Sequence, residues 1–154
     1  LEFLGLQDCK RLAVLHSRVA RSNADVFVRL GAEIALCGPP GLLPAGTLNA
    51  SHVFDNIDDA LRWANVINLL RIQRERIATA DQPSVDEYRN RYALTAARLN
   101  AFPDVCVIHP GPVNEGVETD QAVLDSRQSL VHRQVTHGVA VRMAVLNHVL
   151  HSKF

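Results

Sequence analysis

With 154 residues, 47% of them hydrophobic, the chain has the size and composition of one ordinary domain with an apolar core. Lys plus Arg number 16 and Asp plus Glu number 16, and the absence of a basic tail or stripe argues against a nucleic-acid partner. No apolar run approaches the roughly 18 residues of a membrane helix, and no basic segment followed by a hydrophobic one opens the chain, so the expectation is a soluble, cytoplasmic protein without a membrane partner.

Residues 12 to 15 read as a first strand. From about 17 to 30, Val19, Ala20, Val26, Phe27 and Leu30 recur at helical spacing, and Gly31 is placed to end that helix. Residues 32 to 37 read as a buried strand, followed by the turn material Gly38-Pro39-Pro40-Gly41. A short strand at 51 to 54 precedes a helix to Trp63, capped by Asp55 or Asn56, with Asp58 and Asp59 in the first turn where the helix dipole favours negative charge. Residues 66 to 70 form the next strand. A single helix is expected over 84 to 102, opened by a Ser84 and Glu87 capping box and closed by Pro103. Residues 105 to 108 give the last strand, and 128 to about 150 the last helix. Short apolar runs alternating with longer amphipathic ones indicate an α/β fold, a three-layer open, mainly parallel sheet with helices on both faces.

In such sheets ligands bind beyond the carboxyl ends of the strands. Three of these ends carry unusual residues: "HSRVARSN" at 16 to 23, "RIQRER" at 71 to 76 and "HPGPVNEG" at 109 to 116. Arginine presents a planar fork of donors that grips a carboxylate with two parallel hydrogen bonds, and Arg18 and Arg71 are both placed after strands. Two such forks on one sheet edge suit a small dicarboxylate, although each arginine alone reads more readily as a surface residue paired with a nearby acid. Gln73 offers a donor and an acceptor to a polar ligand, while Arg74 reads as part of a solvated charged run. At Pro110-Gly111-Pro112 the prolines have no N–H and fixed backbone angles, and Gly111 permits close approach, so this corner presents carbonyls to an amine or amide NH2, or is simply a loop leaving the sheet. Cys9, Cys37 and Cys106 are an odd set without metal-ligand spacing and read as reduced thiols. His52, His132, His137, His148 and His151 also lack paired metal spacing, so no metal is expected.

Together, "LHSRVARSN", "LLRIQRER" and "HPGPVNEGVETD", followed by "QVTHGVAVRMAVL", resemble the aspartate carbamoyltransferase catalytic chain over almost all 154 residues, specifically its C-terminal, aspartate-binding half. The resemblance implies transfer of a carbamoyl group from carbamoyl phosphate to the amine of L-aspartate, a step of pyrimidine biosynthesis, without cofactor, metal or covalent nucleophile. It assigns the two aspartate carboxylates to Arg18 and Arg71, positioning of that substrate to Gln73, and orientation of the amine and carbamoyl NH2 to backbone groups of Pro110, Gly111 and Pro112. Related ornithine enzymes carry a cysteine in the corresponding loop, whereas this loop is HPGP.

The resemblance further implies an aspartate-binding domain at residues 1–127 and a C-terminal helix at 128–154 that packs back on a carbamoyl-phosphate-binding half. Family members are about twice as long, and the S-T-R-T type phosphate loop of that half does not occur in this sequence, so the expectation is a chain inactive without it. Implied partners are the carbamoyl-phosphate half or neighbouring subunits, as in the family's homotrimer. Three departures stand out: a Gly-Asp turn is missing before His16, Glu115 stands where close relatives have arginine, and His137 where asparagine is usual. The first two favour an alternative, a non-catalytic carbamoyltransferase-like assembly or regulatory subunit. Val135, Val139, Val141, Ala144, Val145, Leu146, Val149 and Leu150 spread apolar surface around the last helix, which invites contact with another chain.

Overall fold

Four consecutive apolar residues, as at 12–15 and 34–37, cannot be hidden by a sheet covered on one face only. The computed structural model, which describes residues 10–15, 19–43, 50–72 and 83–152, shows both faces covered. Five strands, β1 (Arg11–Leu15), β2 (Glu33–Cys37), β3 (Ala50–Phe54), β4 (Val66–Asn68) and β5 (Cys106–Ile108), form one sheet in the order β3-β2-β1-β4-β5. Every pairing is parallel.

On one face Leu12, Val14, Ile34, Leu36, Val66, Leu70 and Ile108 pack with Ala20 and Ala24 of helix α1 (Val19–Arg29). On the other, Ala13, Leu15, Ala35, Cys37, Ile67, Leu69 and Val107 pack against α2 (Ile57–Trp63), α3 (Val85–Tyr92), α4 (Ala96–Asn100) and α5 (Gln121–Leu124). The expected three-layer α/β architecture is therefore present. Helix α6 (Val131–His151) starts beside β5, where the Leu130 N–H donates to the Val107 carbonyl at 2.8 Å.

Helix ends follow the local chemistry. Gly31, at φ 83°, closes α1 with paired bonds from its own N–H to the Val28 carbonyl and from the Ala32 N–H to the Phe27 carbonyl. Of the two candidates for capping α2, Asn56 does so, its Oδ1 accepting from the Asp59 N–H at 2.9 Å. Ser84 and Glu87 form the expected reciprocal capping box.

The single helix expected over 84–102 is two helices. Leu94 leaves helical geometry to bridge Thr119, its N–H donating to the Glu118 carbonyl at 2.9 Å and its carbonyl accepting from Thr119 Oγ1 at 3.0 Å. Thr95 then caps a fresh start, accepting from the Arg98 N–H. The Arg98 guanidinium reaches back to carbonyls at the end of α3, Arg89 at 3.0 Å, Asn90 at 2.6 Å and Ala93 at 2.8 Å, and pairs with Asp58 of α2. Helical periodicity survives across the break because both halves bury the same face, through Tyr88, Tyr92 and Leu99.

Two other boundaries shift. The strand expected over 66–70 ends at Asn68, and the last helix begins at Val131 rather than 128, because Ser129 extends the edge of β5 and the Gln128 amide donates to the Phe102 and Val105 carbonyls. Helix α5 has no counterpart in the expectation, while the turn material expected after β2 includes a 3-10 turn at Pro40–Leu42. Beyond its first turn α6 is largely exposed, Leu146 by 61% and Leu150 by 77%.

Replacing Arg98 with Ala should lower the free energy of unfolding by about 2 kcal/mol, since it orphans helix carbonyls and one charge partner. Arg62→Ala, which removes an exposed pair with Asp59, should change it by less than about 0.5 kcal/mol, and urea melts of the two variants check the contrast. The buried Cys37 thiol donates to the Asn56 carbonyl at 3.4 Å, and burial, with Asp55, Asp59 and Asp58 nearby, pushes it from an ordinary 9.0 up to about 12. Between those values the unfolded thiol has lost its proton and the folded one has kept it, so stability falls as pH rises, by at most about 1.4 kcal/mol per pH unit. Unfolding at about pH 8 and about pH 10 should show a larger loss in the unaltered chain than in Cys37→Ala.

Candidate functional site

The strand order fixes where to look. From β1 the chain winds outward through β2 and β3, then returns to the opposite side of β1 for β4 and β5. Winding therefore reverses between β1 and β4, and the crevice outside the carboxyl ends of the strands at such a reversal is where open α/β sheets bind ligands. Arg71 follows the end of β4 and the Pro110-Gly111-Pro112 corner follows the end of the adjacent β5, so both lie on this edge. Arg18, which follows β1 in sequence, and Gln73, which follows Arg71, lie outside the described residues.

Buried polarity is confined to the same edge. Among the described residues the buried polar or charged side chains are Asn68, His109, Glu118 and Thr119: the last residue of β4, the first after β5, and two from the loop that follows. Burying such groups is costly unless they are bonded. His109 is fully buried, and its Nδ1 accepts the Gly111 N–H at 2.8 Å while its own N–H donates to Gln134 Oε1 of α6 at 3.1 Å. An accepting Nδ1 places the proton of the neutral ring on Nε2. That nitrogen faces Glu118 Oε1 at 3.7 Å, too far for a hydrogen bond, and neither His109 Nε2 nor Glu118 Oε2 has a hydrogen-bond partner among the described residues.

This bonding gives the proline corner a single polarity. Pro110 and Pro112 have no N–H, and the only N–H between them, that of Gly111, is taken by His109. With that N–H taken, the backbone polar groups the exposed corner has left to offer are its carbonyl oxygens, which accept from an amine or an amide NH2. Gly111 sits at φ 71°, a left-handed conformation open to glycine at little cost, and the Gly111-Pro112 peptide is cis.

Arg71 is half-buried and tied to the corner through one intermediary. Its Nε donates to Asn114 Oδ1 at 3.1 Å, and Asn114 Nδ2 donates to the Ile72 carbonyl at 3.2 Å. The Asn114 N–H in turn donates to the Glu118 carboxyl. The structure thus joins Arg71 to the loop of Pro110, Gly111 and Pro112. Asn114, Glu118, His109 and Gln134 carry no role in the sequence reading. The one signal for His109, Asn114 and Glu118 is membership of the "HPGPVNEGVETD" run, whose polar Asn-Glu-Gly stretch otherwise resembles solvated loop, and Gln134 opens the "QVTHGVAVRMAVL" run. Glu115, one of the three departures from the family pattern, is exposed and bridges Thr119.

Along α6, His137, Ala140, Val141, Ala144, Val145 and His148 line an apolar groove away from this edge. No helix of the described residues is long and apolar enough to cross a membrane, and no group of three or more His, Cys, Asp or Glu among them is arranged to hold a metal ion.

Residues 12–149 match the family described as aspartate/ornithine carbamoyltransferase, Asp/Orn binding domain. The aspartate carbamoyltransferase catalytic subunit of Gemmatimonas aurantiaca is 50% identical over 136 residues, covering 86% of this chain and 42% of that protein. That of Thermus aquaticus is 45% identical over 158 residues, covering 99% of this chain and 52% of that protein. Among solved structures, aspartate transcarbamoylase from Trypanosoma cruzi in complex with carbamoyl phosphate superimposes with a TM-score of 0.78 at 23% identity, over 94% of this chain and 51% of that one. Ornithine carbamoyltransferase from Pyrococcus furiosus gives 0.78 at 21% identity over the same shares. The chain spans about half the length of the relatives it matches. It belongs to the aspartate/ornithine carbamoyltransferase family, and the part of that family it represents is the amino-acid-binding domain.

Proposed function

We propose that the chain is the aspartate-binding half of an aspartate carbamoyltransferase, receiving L-aspartate at the carboxyl edge of its sheet while a carbamoyl-phosphate-binding half supplies the second substrate. The observation that supports this reading is the hydrogen bond joining Arg71 to Asn114 of the loop whose proline corner has only carbonyls left to offer. An amino diacid needs both: cations for its carboxylates and acceptors for its amine. Arg18 is the second carboxylate partner in this reading, Gln73 helps position the substrate, and backbone carbonyls of Pro110, Gly111 and Pro112 orient the amine and the carbamoyl NH2. The names of the most similar relatives, aspartate rather than ornithine enzymes at about half identity, support the acidic acceptor.

The chemistry asks little else of this half. Attack of an amine on a carbamoyl carbon gains from holding the two together and from stabilising charge on the carbonyl oxygen and the departing phosphate. The first task falls to the edge described here, the second to the other half. Residues 128–154 are read as the helix that packs on that half, and the exposed apolar residues of α6 support a polypeptide partner there. Assembly as a homotrimer and a cytoplasmic location accompany the reading. The same exposed face is what a non-catalytic assembly subunit would also present, and activity separates the two.

Titration of the chain with succinate or L-aspartate, followed by amide shifts around Arg71 and Gly111, should show binding in the millimolar range. Arg71→Ala should weaken it at least ten-fold, the loss of one bidentate pair. Mixing the chain with the N-terminal half of a full-length relative should then yield carbamoyl aspartate where neither part alone does. Acid binding without any activity in the mixture favours the assembly subunit, and no shifts at saturating acid sink the aspartate assignment.

A further inference from the structure

Asn114 is bonded at both ends of its side chain and again at its backbone. With Oδ1 on the Arg71 Nε–H and Nδ2 on the Ile72 carbonyl, its amide plane is fixed against the end of β4, and the orientation of its two ends is set by one partner that only donates and one that only accepts. The backbone N–H donates to Glu118, whose carboxyl is fully buried. Glu118 is anchored in turn where its carbonyl accepts from the Leu94 N–H, at the break between α3 and α4. A run of directed bonds therefore leads from the core to one guanidinium.

We propose that Asn114 is a positioning residue for acid recognition: it sets the plane of the Arg71 guanidinium so that Nη1 and Nη2 meet a carboxylate end-on, and Glu118 keeps Asn114 in place. The proposal rests on the aspartate-binding reading above. An arginine side chain loses considerable rotamer freedom when a ligand orders it, and a side chain ordered beforehand spares binding that cost. A neutral amide is the suitable holder. A carboxylate at the same place would grip Nε as well, yet would set a negative charge beside the site and oppose an anionic ligand. Lysine at position 71 would not substitute, because a single ammonium cannot offer one nitrogen to Asn114 and a separate parallel pair to an acid.

Arginine-selective NMR of the full chain reads the Arg71 Nε–H signal without any ligand, and succinate titration of the same samples reads affinity. In Asn114→Ala the Nε–H signal should shift and exchange faster with water, and the succinate dissociation constant should rise roughly ten-fold. Asn114→Asp should keep the signal protected and bind succinate more weakly still. Glu118→Ala, which removes the acceptor of the Asn114 N–H, should move both readouts in the direction of Asn114→Ala, and Glu118→Gln, which retains an acceptor, should move them less; unmoved readouts in Glu118→Ala remove Glu118 from the proposal. Asn114→Ser replaces Asn114→Ala if the latter fails to fold. An unmoved Nε–H signal on loss of the amide, or undiminished succinate affinity in either the Ala or the Asp variant, overturns the proposal. If the unaltered chain binds no succinate, the aspartate reading fails by itself, and the Nε–H signal still decides whether Asn114 holds Arg71.

Discussion

Strand β1 pairs along both edges, with β2 and β4, and Leu12 to Leu15 are buried on both faces. A strand in that position leaves its neighbours few choices. Because each parallel connection must cross a face of the sheet, α1 covers one face on the step to β2, and α2, on the return to β4, opens the second layer. The reversal beside β1 is what creates a crevice at its carboxyl end. Site and core thus have the same origin: residues 12 to 15 contribute alternately to the two apolar clusters, and Arg71 and the proline corner follow β4 and β5, the strands on the far side of the reversal.

Polar burial marks the boundary of that gap. Elsewhere the described interior is apolar, and the cost of desolvating Asn68, His109, Glu118 and Thr119 falls on a single edge. His109 removes the one N–H that would otherwise face a ligand between two prolines, and Glu118 fixes the backbone from which Asn114 reaches Arg71. The elements that carry these residues come from distant parts of the sequence, β4, the loop after β5 and the first turn of α6. Their register is enforced by β-sheet hydrogen bonds such as that from the Leu69 N–H to the Ile108 carbonyl.

Much of this was legible in the residues. Apolar runs located all five strands to within a residue or two, because strands buried on both faces are written as near-continuous hydrophobic stretches. Gly31 and the Ser84 and Glu87 box announced helix ends through short-range chemistry that tertiary context did not override. The break at Leu94 was not legible, since its cause is a bridge to Thr119, twenty-five residues away in sequence, and no local rule registers such a partner. The carbonyl character of the corner could be read from its prolines, and Arg71 from its place after a strand. The parts played by Asn114 and Glu118 could not, because side chains that bond to other side chains across a fold leave no periodic trace. Arg18 and Gln73 stand as sequence expectations beyond the described residues.

One geometric consequence follows from how α6 is rooted. At 21 residues the helix is roughly 30 Å long, yet only its opening turn is embedded, and Gln134, in that turn, accepts from the His109 backbone. A rod clamped at one end behaves as a lever: tilting it by about 10° sweeps its tip through roughly 5 Å while moving the clamp only slightly. The clamp is shared with the floor of the crevice, so a body that grips the far end of the rod fixes the direction of the root at the same time, and the load it applies arrives one hydrogen bond from the proline corner.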